Sequence, residues 1–231
     1  MKIFDYGKKL TRNEYRKIQI ERSRLKFNYS RVSILDILSK MNIIKHNGYK
    51  NGPIICMGVR NGREINLFKA AKNMFLAKLI YLFEVKRYGF SSLISFLENL
   101  FTQNNINCIT DNGVYGVELN PDLKRKDVFI GSFDKMPDDF ENKFELVYSN
   151  SFDQSLDPHK TANEWMKVIK NQGYMIIDWV ENDEATYTDP TGKVFKDDII
   201  SLFKGEMIHY SKNGNFDTQC ISSCLIIRVK K

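Results

Sequence analysis

No stretch of about 18 uncharged apolar residues occurs in the 231-residue chain, so the sequence offers no transmembrane helix. The stretch MKIFDYGKKLTRNEYRK has no apolar h-region and does not read as a signal peptide. Cysteine is scarce. Cys56, Cys108, Cys220 and Cys224 are scattered, and Cys56 falls in an apolar run, so they read as reduced thiols of a cytoplasmic protein. The Cys220/Cys224 pair lies in an apparent strand with no histidine near it in sequence, so no metal site is expected there. Internal repeats and low-complexity tracts are absent.

What is present suits a folded domain. Apolar residues make up 42% of the chain, enough for a real core. Lys and Arg number 35 against 28 Asp and Glu, a net charge of +7. That excess permits an anionic partner. It is spread along the chain, so solubility explains it equally well.

The segment PIICMGVRNGREINLF, residues 53–68, joins an apolar run, a glycine turn and a helical pattern. Upstream, Ile34, Leu35, Leu38, Met41 and Ile44 follow helical spacing, with Ser33 and Asp36 as a capping box and Gly48 as a stop. Downstream, VYGVELNPD, DVFIGSF and KFELVYSNSF each read as a strand, the first ending at Glu118 with Asn120-Pro121 as its breaker. HKTANEWMKVIKNQGYMIIDWV reads as a helix, a stop at Gly173 and a fifth strand. KDDIISLF reads as a helix, and two closing strands flank an Asn213-Gly214 turn. Strands alternating with helices imply a mostly parallel sheet, and the closing hairpin adds an antiparallel edge. Residues 1–49 form a basic N-terminal helical region on a core of residues 50–231. Residues 74–112 exceed the one helix needed between the first two strands, so they are an insert, read as two helices split at Gly89. The insert is expected to cap the acceptor pocket, with a dimer contact as its alternative.

Five pieces in order, IICMGVRNGRE, VYGVELNPD, VFIGSFDKMP, KFELVYSNSFDQS and VIKNQGYMIIDWV, resemble the class I S-adenosylmethionine-dependent methyltransferases over residues 50–231. The resemblance implies an α/β three-layer sandwich. Its Rossmann-like sheet has seven mostly parallel strands, an antiparallel C-terminal hairpin strand and a helical insert. It implies methyl transfer from S-adenosyl-L-methionine to a small-molecule, sugar or lipid-like acceptor. Gly58 and Gly62 would admit the methionine tail, and Arg60 would either pair with its carboxylate or face solvent. Arg60 stands where a middle glycine is usual, which is harmless only if its φ stays negative. Glu118, with Asn120 after it, would take the ribose hydroxyls.

Ser132, Phe133 and Asp134 would meet adenine, although the family often carries an acid at the position of Ser132. Met136 and Pro137 resemble the apolar-Pro pair after that loop. Tyr148, Ser149 and Asn150 would flank the sulfonium, and Asp153 and Gln154 the acceptor. For a general base the candidates are Asp153 and Asp178, then Glu181 and His159. Glu84, about 20 residues past Gly62, is the acid a dinucleotide fold would use, but the loop lacks G-x-G-x-x-G. The Asn-Pro-Pro-aromatic motif of amino-directed nucleic-acid methylases is absent, with NSFD in its place. The alternative function is a cofactor-binding module that holds nucleic acid or protein through its basic N-terminal region. A homodimer is left open.

Overall fold

The computed structural model describes residues 2–3, 11–25, 32–86, 104–179, 185–192, 195–212 and 223–231. The Asn213-Gly214 turn, Cys220, Glu181 and residues 87–103 of the insert lie outside them.

Two helices come first, α1 (Arg12–Leu25) and α2 (Ile34–His46). Ser33 and Asp36 form the expected capping box on α2. The sheet strands are β2 (Ile54–Met57), β3 (Val114–Glu118), β4 (Val128–Ile130), β5 (Phe144–Ser149), β6 (Ile169–Trp179), β8 (Gly205–Lys212) and β9 (Ser223–Val229). Their order is β4-β3-β2-β5-β6-β9-β8. The first five are parallel, and β9 runs antiparallel to both β6 and β8. As expected of the closing hairpin, the last strand, β9, runs antiparallel to the rest. It lies one place in, and β8 closes the sheet parallel to the rest. The backbone of β1 (Lys2–Ile3) pairs with β7 (Thr191–Gly192) in a separate ribbon.

Alternation along each strand divides the core into two layers. Ile54 and Cys56 point toward α2, α3 (Arg63–Ala71) and α4 (Met74–Lys86), and meet Ile37, Met41, Ile65 and Phe68. Ile55 and Met57 point the other way, into a cluster with Trp165 of α5 (Pro158–Val168) and Phe203 of α6 (Lys196–Phe203). Parallel strands covered on both faces need apolar side chains on both, so β2 reads IICM without alternation.

Two local expectations are corrected. Leu35 shares the helical spacing of α2 but is exposed, while Ile37 takes the buried place. Helix α5 ends at Val168 rather than at Gly173, because Ile169 already pairs with Phe144 in the sheet. Of the insert, α4 packs beside α3 and α2 in the helical layer, Ile106 joins the core on the other face of the sheet, and the expected cap falls on residues that include 87–103, outside the described ones. Among the described residues, the element covering the strand ends is α1.

Candidate active site

The carboxyl ends of β2, β3, β4 and β5 converge under α1, the place where open α/β sheets bind ligands. Two adjoining cavities lie between them. One, of about 200 Å³, is lined by Arg12, Tyr15, Ser132, Phe133, Asp134 and Lys160 among others. The second, of about 40 Å³, is lined by Arg22, Ser23, Gly58, Arg60, Glu118 and Gly131 among others. Gln19, Leu119, Phe133 and Gln154 border both.

The loop after β2 turns through three left-handed residues, Gly58 (φ +75°), Arg60 (φ +49°) and Gly62 (φ +80°). The condition under which Arg60 would be harmless, an ordinary backbone, is therefore not met. A non-glycine residue in this region carries strain of order 1–3 kcal/mol. A hydrogen bond holds it there, since the Arg60 N–H donates to Glu118 Oε2 at 2.7 Å. The two glycines serve different ends. Gly58 borders the smaller cavity, and a Cβ on it would come within 2.9 Å of Ser151 Cβ. Gly62 caps α3, and a Cβ there would press on the Arg125 guanidinium at 2.9 Å. That guanidinium is anchored to Asp127 and to Asn66. Burial works against the charge of Asp127, but Arg125 and Lys69 outweigh it and hold its carboxyl below the usual range.

Glu118 ends β3 almost wholly buried. Its Oε1 accepts from Ser23 Oγ at 3.1 Å and from the Asn120 N–H at 3.0 Å. Asn120 in turn shapes the following turn, accepting from the Asp122 N–H. Beyond β4, the Asp134 carboxylate is held by Ser132 Oγ on one oxygen and by Arg12 on the other. Phe133 stacks edge-on against Trp165, whose indole N–H donates to the Phe133 carbonyl at 3.0 Å. Residues 132–134 thus present one aromatic face and one carboxylate to the larger cavity.

The segment after β5 is tied inward. Ser149 Oγ accepts from the Ser151 N–H, and Asn150 Nδ2 donates to Glu64 Oε1 at 3.2 Å. Neither Ser149 nor Asn150 borders these two cavities, whereas Gln154 borders both. Asp153 is buried in the short turn before Gln154, near enough to Arg22 to favour its charge. Asp178 stands apart. It is fully buried beneath α2, with Lys40 Nζ at 2.5 Å and Tyr148 Oη donating at 2.8 Å. Burial opposes the Lys40 charge, and Asp178 outweighs it. Tyr148 is likewise committed to this pair rather than to the cavities. Of the remaining candidates, His159 is exposed near the start of α5. The side chain of Glu84 lies outside the described residues.

An N-terminal helix was expected, but the place of α1 over the cleft was not. Its buried stripe is Tyr15, Gln19 and Ser23, spaced by four and wholly polar at its tips. Tyr15 Oη donates to the Gln154 carbonyl at 2.5 Å, and Gln19 Nε2 to the Thr188 carbonyl at 2.6 Å. Arg22 forks onto both oxygens of Asp189 at 2.7 and 3.0 Å. An i, i+4, i+8 repeat of uncharged residues in a highly charged helix was the available signal.

No protein-family model matches the chain, and no curated protein matches its sequence. Solved structures do match in shape. Burkholderia thailandensis 1,6-didemethyltoxoflavin-N1-methyltransferase, with its substrate and S-adenosylhomocysteine bound, superposes with a TM-score of 0.57 at 10% identity, covering 96% of this chain and 92% of that one. The complex between the Haloferax volcanii Trm112 methyltransferase activator and a protein described as a methyltransferase gives 0.53 at 12%, covering 96% and 100%. A Thermotoga maritima S-adenosylmethionine-dependent methyltransferase gives 0.50 at 13%, covering 93% and 96%. The chain has the class I S-adenosylmethionine-dependent methyltransferase fold.

Proposed function

We propose that the protein binds S-adenosyl-L-methionine beneath α1 and transfers its methyl group to a small-molecule acceptor. The observation that carries the reading is Glu118. It is a buried carboxylate at the end of β3 that fixes the glycine loop of β2 through Arg60, on the cavity wall shared with Gly58. A carboxylate there suits a vicinal diol, and the side-chain-free Gly58 leaves room for a chain of atoms to pass close to the backbone.

The donor set fits the group. Glu118 would accept from the ribose hydroxyls. Leu119 and Phe133 would face adenine, and Asp134 would accept from its amino group. Arg60 remains the candidate partner for the methionine carboxylate. Gly62, Asn120, Ser149 and Asn150 would act behind these, by shaping the loops that hold them. When bound, the cofactor supplies a methyl group on a sulfonium, displaced in line by the acceptor. What the chain contributes is orientation and exclusion of water. Gln154, which borders both cavities, would meet the acceptor, and Asp153 beside it in sequence is the candidate to take its proton. Asp178 would have to abandon Lys40 to serve as a base.

The alternative, a module that grips nucleic acid through a basic N-terminal region, is disfavoured by how α1 spends its charge. Arg12, Arg22 and Arg24 are turned onto Asp134, Asp189 and Asp122 of the same chain. Among the described residues no helix is long and apolar enough to cross a membrane. A labelled-methyl transfer assay against small-molecule and macromolecular fractions of a cell extract tests the proposal. Label should appear in the small-molecule fraction. Label confined to RNA or protein would replace the acceptor class, and no label in any fraction would leave the chain a binding module.

A further inference from the structure

Helix α1 does more than roof the cleft. It is bonded to the groups the cofactor would need. A carboxylate offers about four acceptor positions. Glu118 has three filled, by Ser23, Asn120 and Arg60. The backbone donors are fixed parts of the loops, so the one partner that can leave is Ser23. A ribose diol brings two O–H donors, and one open position cannot serve both. At the other end, Arg12 and Ser132 engage the two oxygens of Asp134. Both carboxylates of the cleft therefore have an α1 side chain as partner.

Space agrees with this accounting. The cavity beside Glu118 measures about 40 Å³. That is room for a few waters rather than for a sugar ring. Ser23, Gln19 and Arg22 of α1 border it. Moving α1 outward is the change that would enlarge the cavity and free the carboxylate together.

The hold of α1 is also of a kind that can be undone. Its buried stripe is Tyr15, Gln19 and Ser23, so polar groups close the interface. Net contributions of such bonds are small, because water replaces each partner when the helix lifts. The firmest tie goes to neither carboxylate. It is the Arg22 fork on Asp189, with Arg22 also donating to the Thr188 carbonyl at 3.1 Å.

We infer that α1 is an internal competitor for the cofactor: closed, it occupies Glu118 and Asp134 with Ser23 and Arg12, and the cofactor binds only after α1 lifts. The inference rests on the cofactor reading above. The fraction of molecules with α1 lifted then sets the apparent affinity. Arg22 and Asp189 form the latch that sets this fraction.

The test uses S-adenosylhomocysteine as the probe, with the full chain and two variants, Ser23→Ala and Asp189→Asn. Calorimetric titration should show both variants binding more tightly than the wild type, by about twofold to tenfold, the factor worth one net hydrogen bond. Limited trypsin digestion gives an independent readout, since α1 carries Arg16, Lys17, Arg22 and Arg24. Saturating probe should speed cleavage within α1 of the wild type. Weaker binding by both variants, or slower cleavage with probe, would overturn competition and make α1 a wall that closes over the ligand. No binding by any of the three proteins would overturn the cofactor reading itself, and competition with it.

Discussion

Replacing Glu118 should cost folding stability as well as binding, and the structure sets the size. Glu118→Ala removes the acceptor of two backbone donors, the Arg60 N–H at 2.7 Å and the Asn120 N–H at 3.0 Å. Each buried donor left without a partner costs about 1–3 kcal/mol. Water entering under α1 would satisfy part of this, so the expected loss is about 2–4 kcal/mol. Arg60 also loses the bond that holds it at φ +49°. Glu118→Gln keeps one acceptor oxygen but sets an amide donor against a backbone donor, so about 1–2 kcal/mol is expected. Urea denaturation of the three proteins reads these values, with equal m-values confirming an unchanged unfolding reaction. A loss below about 0.5 kcal/mol for the alanine variant would show that the carboxylate does not brace the loop. Binding measurements on these variants must then be made well below the urea midpoint, where the folded fraction is complete.

Arg60→Gly should stabilise the chain by about 1 kcal/mol, because glycine adopts the left-handed turn without a Cβ penalty, offset in part by its freer unfolded chain. A lowered melting temperature would mean the Arg60 side chain contributes more than its backbone costs. Asp178→Ala should destabilise by about 3–5 kcal/mol, the cost of leaving Lys40 charged and unpaired in the core. A stable variant with slowed methyl transfer would instead return Asp178 to the list of bases. Burial lowers the Lys72 ammonium to about 8 from 10.5. Between those values the unfolded chain holds that proton more firmly than the folded one, so the wild type should gain stability relative to Lys72→Met as pH rises from 8 to 10. A difference independent of pH in paired urea titrations would refute that shift.

Much of the fold was legible because its signals are local. Apolar runs ended by Gly58, by Asn120-Pro121 and by Gly131 mark the ends of three strands, and Ser33 with Asp36 marks the start of α2. The glycine loop and Glu118 were legible as a pair because each ends its own strand. Three features were not legible. The left-handed turn at Arg60 depends on Glu118, a partner 58 residues away. The pairing of Asp178 with Lys40 spans 138 residues. The place of α1 over the cleft is carried by polar side chains, which no hydrophobic pattern reveals. Gly173 misled as to where α5 ends. A glycine is a common helix stop, but here the sheet had already claimed Ile169.

The central claim is that this cleft binds S-adenosyl-L-methionine. Titration calorimetry with S-adenosylhomocysteine, run beside circular dichroism on wild type and Gly58→Val, tests it most directly. The wild type should bind one equivalent per chain. The valine would stand at φ +75° with its Cβ 2.9 Å from that of Ser151, so the variant should lose binding and some stability while keeping its helix and strand content. Saturable binding that Gly58→Val leaves unchanged would place the ligand elsewhere, and no binding to the folded wild type would contradict the account outright.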